Sequence, residues 1–198
     1  MVHGVSHSVW RSRSLTRLSH AALVGESRTL HVWDAHVVNG MLQTADYARN
    51  VFERYAEFRR SPQDAEDAVR SRIKRQEWLY RPGKQLHVLM WEAALWARLC
   101  PPEVLAAQMD RLLGLVGMDT VHLGIVPLDA ALRLPPGNAF WVLDDRLVTV
   151  EDWHAELWLD DAETIGLYRR VWDTLAESAV FGAEAQQVIA RARRNIKV

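Results

Sequence analysis

Two short apolar runs constrain the fold of this chain most. Residues 86–91 and 120–126 are each too short for an ordinary core helix, and both read as buried strands. Pro127 ends the second run. Between the two, residues 92–99 read as a short helix. Pro101-Pro102-Glu103 then opens a longer one, which turns Val104, Leu105, Met109, Leu112, Leu113 and Val116 toward a core. Strands spaced by helices of this kind belong to a sheet with helices packed on it.

The remaining segments extend that pattern. Residues 29–33 alternate, with Leu30 and Val32 on one side and His31 and Trp33 on the other. Asn39-Gly40 is a turn signal, and Thr44 reads as the cap of a helix over 45–58 whose apolar positions are Tyr47, Ala48, Val51, Phe52 and Tyr55. Ser61-Pro62-Gln63-Asp64 opens the next helix, which Arg81-Pro82-Gly83 stops near residue 80. Residues 139–143 and 147–151 form a hairpin across Asp144-Asp145, and 153–159 add a strand or a rim. Asp160-Asp161 starts a helix through 176, Phe181-Gly182 breaks it, and 183–196 form the last. The expected fold is α/β (α+β): a small mixed sheet of about four to five strands, flanking helices and a C-terminal helical pair. Residues 1–28, rich in Ser, His and Arg, are expected to be a flexible leader or the remnant of an upstream segment. Residues 29–198 are expected to form a single sensor-like domain.

Charge excludes one class of partner. With 24 basic and 25 acidic side chains the net charge is −1, whereas a nucleic-acid-binding domain is normally strongly basic. No direct binding of nucleic acid by this chain alone is therefore expected. No apolar run approaches the roughly 18 residues that span a bilayer, so no membrane association is expected. The single cysteine, Cys100, fits a cytoplasmic location.

No catalytic, cofactor or metal signature stands out. Histidines next to carboxylates at Trp33-Asp34-Ala35-His36 and Glu151-Asp152-Trp153-His154 each offer half a site, but solvated turns explain them better. Gly114 and Gly117 read as a helix C-cap, not a phosphate cradle, and Cys100 as a small hydrophobe. Two polar groupings carry more. Gln43, Thr44, Asp46, Tyr47 and Arg49 sit at a turn-to-helix junction, where free backbone N–H groups can hold an anion. Arg72, Arg75 and Gln76 share a helix face and could grip a carboxylate or bridge to Glu92; this face is expected to pack against the junction at 39–49, with Glu92 in reach of Arg72 or Arg75. Nine tryptophans are many for this length. Trp91, Trp96, Trp141, Trp153 and Trp158 fall on or beside strands, and at least two of them are expected to line one concavity.

Taken in order, these segments resemble a domain of unknown function that follows an Xre-type helix-turn-helix in actinobacterial regulators of the Scr1-like family. Gly40-Met41-Leu42-Gln43-Thr44, with Tyr47-Ala48, is similar to that family's Gly-Leu-Leu-Gln-Thr-x-x-Tyr-Ala segment. Arg72, Arg75-Gln76 and Leu79 are similar to its Arg-x-x-Arg-Gln-x-x-Leu helix, and Glu92 with Leu95 to its Glu-x-x-Leu. Gln108-Met109, the strand 121–127, Phe140, Val150-Glu151 and Tyr168-Arg169-Arg170 follow in the family's order. Val38-Asn39 stands where the family often has Val-Pro, and the roughly 28 residues ahead are too few for a complete helix-turn-helix.

The resemblance implies a regulatory domain that senses a small-molecule ligand or a small regulatory protein, with a homodimer among its assemblies. The alternative expectation is a stand-alone enzyme of secondary metabolism that reuses the sensor pocket. The expected ligand-binding residues are Gln43, Thr44, Tyr47, Arg72, Arg75, Gln76, Trp91, Glu92, Trp141, Glu151 and Trp153.

Overall fold

The structure, a computed structural model, describes residues 20–60, 65–153 and 155–197. Its described strands form one mixed sheet. These are β1 (Thr29–Asp34), β2 (Gln85–Trp91), β3 (Val121–Val126), β4 (Phe140–Leu143), β5 (Leu147–Glu151), β6 (Glu156–Leu159) and β7 (Val180–Phe181). Their order across the sheet is β6-β5-β4-β1-β2-β3-β7. β1, β2 and β3 run parallel, and the remaining neighbours are antiparallel. The mixed α/β class is as expected, with seven strands in place of four to five. The expected strand at 153–159 is β6. β7 has only two residues, held by pairing to Gly124 and Ile125, and so short an element leaves no periodic signal.

Parallel neighbours need long crossovers, and helices supply them. Between β1 and β2 lie α2 (Ala45–Arg59), α3 (Ala65–Gln76) and a 3-10 turn (Glu77–Tyr80). Between β2 and β3 lie α4 (Ala93–Trp96) and α5 (Pro102–Leu115). α1 (His20–Glu26) precedes the sheet, and α6 (Ala162–Ala176) and α7 (Gly182–Arg194) are the helices of the C-terminal pair. α1 buries Leu23 and Val24 in the core. Residues 20–27 therefore belong to the packed domain rather than to the leader expected for 1–28. The cap expected at Ser61-Pro62-Gln63-Asp64 and the His154 half-site lie outside the described residues.

The strand parity read from the sequence sorts the core into two layers. Leu30, Val32, Leu86, Val88, Met90, Leu123 and Ile125 face α1, α2, α5 and α7. Trp33, Leu89, Val126, Phe140, Val142 and Val148 face α6. Turn chemistry shapes the hairpin: Asp144 and Asp145 both have positive φ, 49° and 52°, as the central pair of a primed turn requires, Arg146 N donates to Leu143 O at 2.9 Å, and Leu143 pairs with Leu147. Gly124 is needed for a different reason. A Cβ there would come within 2.6 Å of the Phe181 ring, so the β7 edge closes only over a glycine.

On the α6 face the register places His31 beside His87 and His87 beside His122. The three rings stack, with centroids 4.6 and 4.4 Å apart and both interplanar angles 10°. Trp172 meets His31 edge-on at 4.9 Å. Burial, then the nearby Arg169, then the other two rings push the His31 pKa down to about 3, and His87 is lowered for similar reasons. The folded state thus binds fewer protons than the unfolded chain between about pH 3 and the ordinary histidine value near 6.5. Stability from this ladder is present above about pH 6.5 and is lost as the pH falls. We expect the urea midpoint to drop between pH 7.5 and pH 5, and to drop less in His31→Phe, which keeps the ring stack without the proton. Equal pH dependence in the two proteins would contradict this.

Candidate functional site

The chain between β1 and α2 is irregular and buried, so its backbone polar groups need side-chain partners. Asn39 Oδ1 accepts from Met41 N at 2.9 Å, starting a single 3-10 turn, Gly40–Leu42. Thr44 then caps α2 by accepting from Tyr47 N at 3.2 Å. Three glutamines complete the junction. Gln43 donates to Val38 O at 2.7 Å. From α3, Gln76 donates to Gly40 O at 3.0 Å and Gln43 O at 2.8 Å. From α5, Gln108 donates to Leu42 O at 3.0 Å and accepts from Thr44 N at 2.8 Å. Tyr47 is buried and its hydroxyl accepts from Val38 N at 3.5 Å.

The junction and the α3 face therefore pack together, as their order in the sequence suggests. Gln43, Thr44, Tyr47 and Gln76 spend these polar atoms on backbone or on each other's elements. Arg72 is the link to the sheet. Its Nη1 donates to Gln43 Oε1 at 2.7 Å, and its guanidinium lies 4.3 Å from the Phe52 ring centroid. It also lies against Gly40, where a Cβ would be 3.2 Å from Arg72 Cζ, so a larger residue there would press on the guanidinium.

The expected bridge from Glu92 to Arg72 or Arg75 does not form. Glu92 sits at the end of β2 and receives Arg191 from α7 at 2.8 and 2.9 Å, Leu128 N at 3.0 Å and Trp96 Nε1 at 3.3 Å. The strand order explains this: β2 is flanked by β3 on the α7 side, whereas Arg72 and Arg75 face the β1–β4–β5 side. The carboxylates that act on Arg72 are Glu151 and Asp34, and Glu151 also acts on Arg75.

Strand register builds the other half of a polar cup. Val32 pairs with Trp141, Trp141 with Thr149, and Thr149 with Trp158, so these side chains form a row on the first core face. Asp34 and Glu151 lie two residues further along their strands on the same face. His20 of α1 fills the cup: its ring meets Trp141 at 5.4 Å and Trp158 at 6.4 Å, and Nε2 is 3.3 Å from Thr149 Oγ1. Tyr55, Phe58 and Trp153 make an exposed aromatic cluster on α2 and the chain after β5, with Trp153 5.8 Å from Tyr55 and 5.4 Å from Phe58. Tyr55 also acts on Arg72.

The tryptophans thus divide. Trp141 and Trp158 share the cup, Trp153 is exposed, and Trp91 packs in the other core layer beneath α6. Trp96 packs against the first core layer, so of the five only Trp141 and Trp158 come together on one face beside the sheet. An open groove of about 590 Å³ lies instead along α7, between Val180 and Arg194.

The two cations of the cup are partly removed from water. Burial, then the neighbouring Arg75, lower the Arg72 pKa to about 10, and burial lowers that of Arg75. The Nε atoms of both are buried and have no hydrogen-bond partner among the described residues. Burial lowers the His20 pKa to about 4, with a further push from Arg75, so the ring is neutral at physiological pH. Burial raises Asp34 to about 6, against the pull of its 2.6 Å hydrogen bond from Asn39 Nδ2 and of Arg72. Nothing in the sequence points to His20 or Thr149, and Asp34, weighed there only beside His36, belongs to this cluster instead. The parity that put Leu30 and Val32 in the core also puts Asp34 there.

The other candidates do not form sites. His36 is exposed while Asp34 is buried. Cys100 is buried, which raises its thiol pKa. Among the described residues no group of three or more His, Cys, Asp or Glu side chains converges as metal ligands do.

Among the described residues, this mixed α/β domain carries a polar cluster, floored by aromatic side chains and covered by His20, toward the carboxyl end of its first strand. The chain belongs to a family of domains of unknown function, DUF5753, whose signature matches residues 18–191. No curated protein and no solved structure matches it.

Asp34 gives the cup a measurable pH signature. Its folded pKa is raised, so the folded state holds a proton between about pH 4 and pH 6 that the unfolded chain has lost. Its contribution is greatest at low pH and is lost as the pH rises through about 6. We expect Asp34→Asn, which can still accept from Asn39, to be more stable than the wild type above pH 7, by roughly 1–3 kcal/mol. The gain should vanish near pH 4. Urea titrations at both pH values check this, and a variant less stable at both would contradict it.

Proposed function

We propose that this chain is the sensing domain of a transcriptional-regulator family of the Xre helix-turn-helix type, as found in actinobacteria. It acts in the cytoplasm on a small-molecule ligand or a small regulatory protein and does not itself read DNA. The observation that carries this reading is the pair Arg72 and Arg75: two half-buried cations, side by side, whose Nε donors have no partner among the described residues. An anionic group on a ligand would satisfy those donors with charge-assisted hydrogen bonds. Arg72 is bonded to Gln43 and pressed on Gly40, so occupancy would bear directly on the junction that holds α2 against α3. The near-neutral charge of the chain supports action through a partner rather than on DNA.

A second reading, a small-molecule enzyme of secondary metabolism, has one observation in its favour. Asp34 is a buried carboxyl with a pKa raised to about 6, the property of a general acid–base group. Its engagement by Asn39, within the turn that starts the junction, favours a structural use.

Deleting the gene should change a limited set of transcripts. The wild-type gene should restore them, and a folded Arg72→Met/Arg75→Met form should not. Anisotropy with its own promoter duplex at physiological salt should show no sequence-dependent binding. Nanomolar sequence-dependent binding, or full restoration by the double variant, would overturn the proposal.

A further inference from the structure

The group that fills the cup belongs to the chain itself, and its contacts among the described residues are ones a ligand could make. The His20 ring stands edge-on to Trp141 at 79° and to Trp158 at 67°. Its Nε2 meets the Thr149 hydroxyl, a group that can donate or accept. Thr149 itself is buried, and pairing with Trp141 and Trp158 on either side makes the floor rigid. The charge of Arg75 acts on the ring, its buried Nε has no partner among the described residues, and Glu151 acts on Arg75 from the strand edge. A cation next to Arg75 would be repelled, and a purely apolar ring would leave the Thr149 hydroxyl without its partner. An aromatic floor, one hydroxyl and one unsatisfied guanidinium together define a narrow ligand chemistry.

We propose that the His20 imidazole occupies a subsite for a planar, uncharged nitrogen heteroaromatic ring, borne by a ligand whose anionic group reaches Arg75 and Arg72. The inference rests on the sensing reading given above and names the chemistry of its ligand. Binding displaces His20 from the floor, so the first turn of α1 reports occupancy. α1 has seven residues and is anchored by Leu23 and Val24, which leaves its first residue exchangeable without loss of the core.

The test uses the full chain with His20→Ala and two probes, imidazole and imidazole-4-acetate, in alkaline buffer where both probe rings are neutral. Calorimetry and tryptophan fluorescence are the readouts. We expect His20→Ala to bind imidazole-4-acetate at least about tenfold more tightly than the wild type does, a gain of about 1.4 kcal/mol. Imidazole should bind more weakly than its acetate derivative, and adding Arg75→Met should remove that preference. Adding Trp141→Ala should abolish binding of both. If His20→Ala is unfolded alone, recovery of its folded circular dichroism on adding imidazole-4-acetate reads the same subsite. Equal affinity in wild type and His20→Ala, binding that survives loss of Trp141, or an unfolded variant that the probe does not restore would each overturn the proposal. These outcomes are separable from the regulatory reading. Transcripts that respond to the gene while the probes fail to bind would remove this subsite alone, and probe binding without any transcript response would remove regulation alone.

Discussion

The hydrogen bonds that Gln76 makes to the Gly40 and Gln43 carbonyls hold the rest of the site in place. The chain leaves β1 at the centre of the sheet and must enter α2 through buried, irregular backbone. A buried carbonyl without a donor costs on the order of 1–3 kcal/mol. Gln76 covers two such carbonyls from α3, and Gln108 covers Leu42 O from α5. Helices distant in sequence are thereby pinned to one turn, which sets the height of α3 over the sheet. That height brings Arg72 and Arg75, one turn apart, over β1, β4 and β5.

The cup follows from this placement together with strand parity. Strand positions of one parity at the ends of β1 and β5 deliver the buried Asp34 and the exposed Glu151, and the row Trp141–Thr149–Trp158 makes the floor. Two cations partly removed from water, with a carboxyl whose pKa is raised by burial, form an electrostatically costly arrangement. Such cost is tolerated where structure or function needs it. Arg72 meets the structural need through Gln43 and Gly40. Arg75 Nε has no partner among the described residues, and no such structural bond offsets its burial.

Much of this was legible in the sequence, for physical reasons. Strand parity, the Thr44 and Asp161 caps and the Asp144-Asp145 turn are local signals, and the structure carries all of them. The contact between the Gly40–Thr44 turn and the Arg72–Gln76 helix face followed from the family resemblance and helical spacing. The Glu92–Arg191 pair was not legible, because its partners are 99 positions apart and only the order of strands decides which helix reaches Glu92. β7 was missed because two residues carry no period. His20 was missed because a histidine among serines and arginines gives no sign of burial, and Asp34 because an acidic residue at a strand end reads as the start of a loop. Trp91 lies on a strand as Trp141 does, but parity along β2 puts it with His87 and Leu89 on the α6 face.

The central claim is that the junction and the arginine face act as one unit through Gln43 and Arg72. A double-mutant cycle tests it most directly, with Gln43→Ala, Arg72→Met and the double variant compared by urea unfolding at pH 7.5. Removing either partner should destabilise the fold, and the two losses should fall short of additivity by about 1–2 kcal/mol, as for a half-buried hydrogen bond to a charged group. Losses that add to within about 0.5 kcal/mol would show that the two residues do not communicate, and would contradict the account.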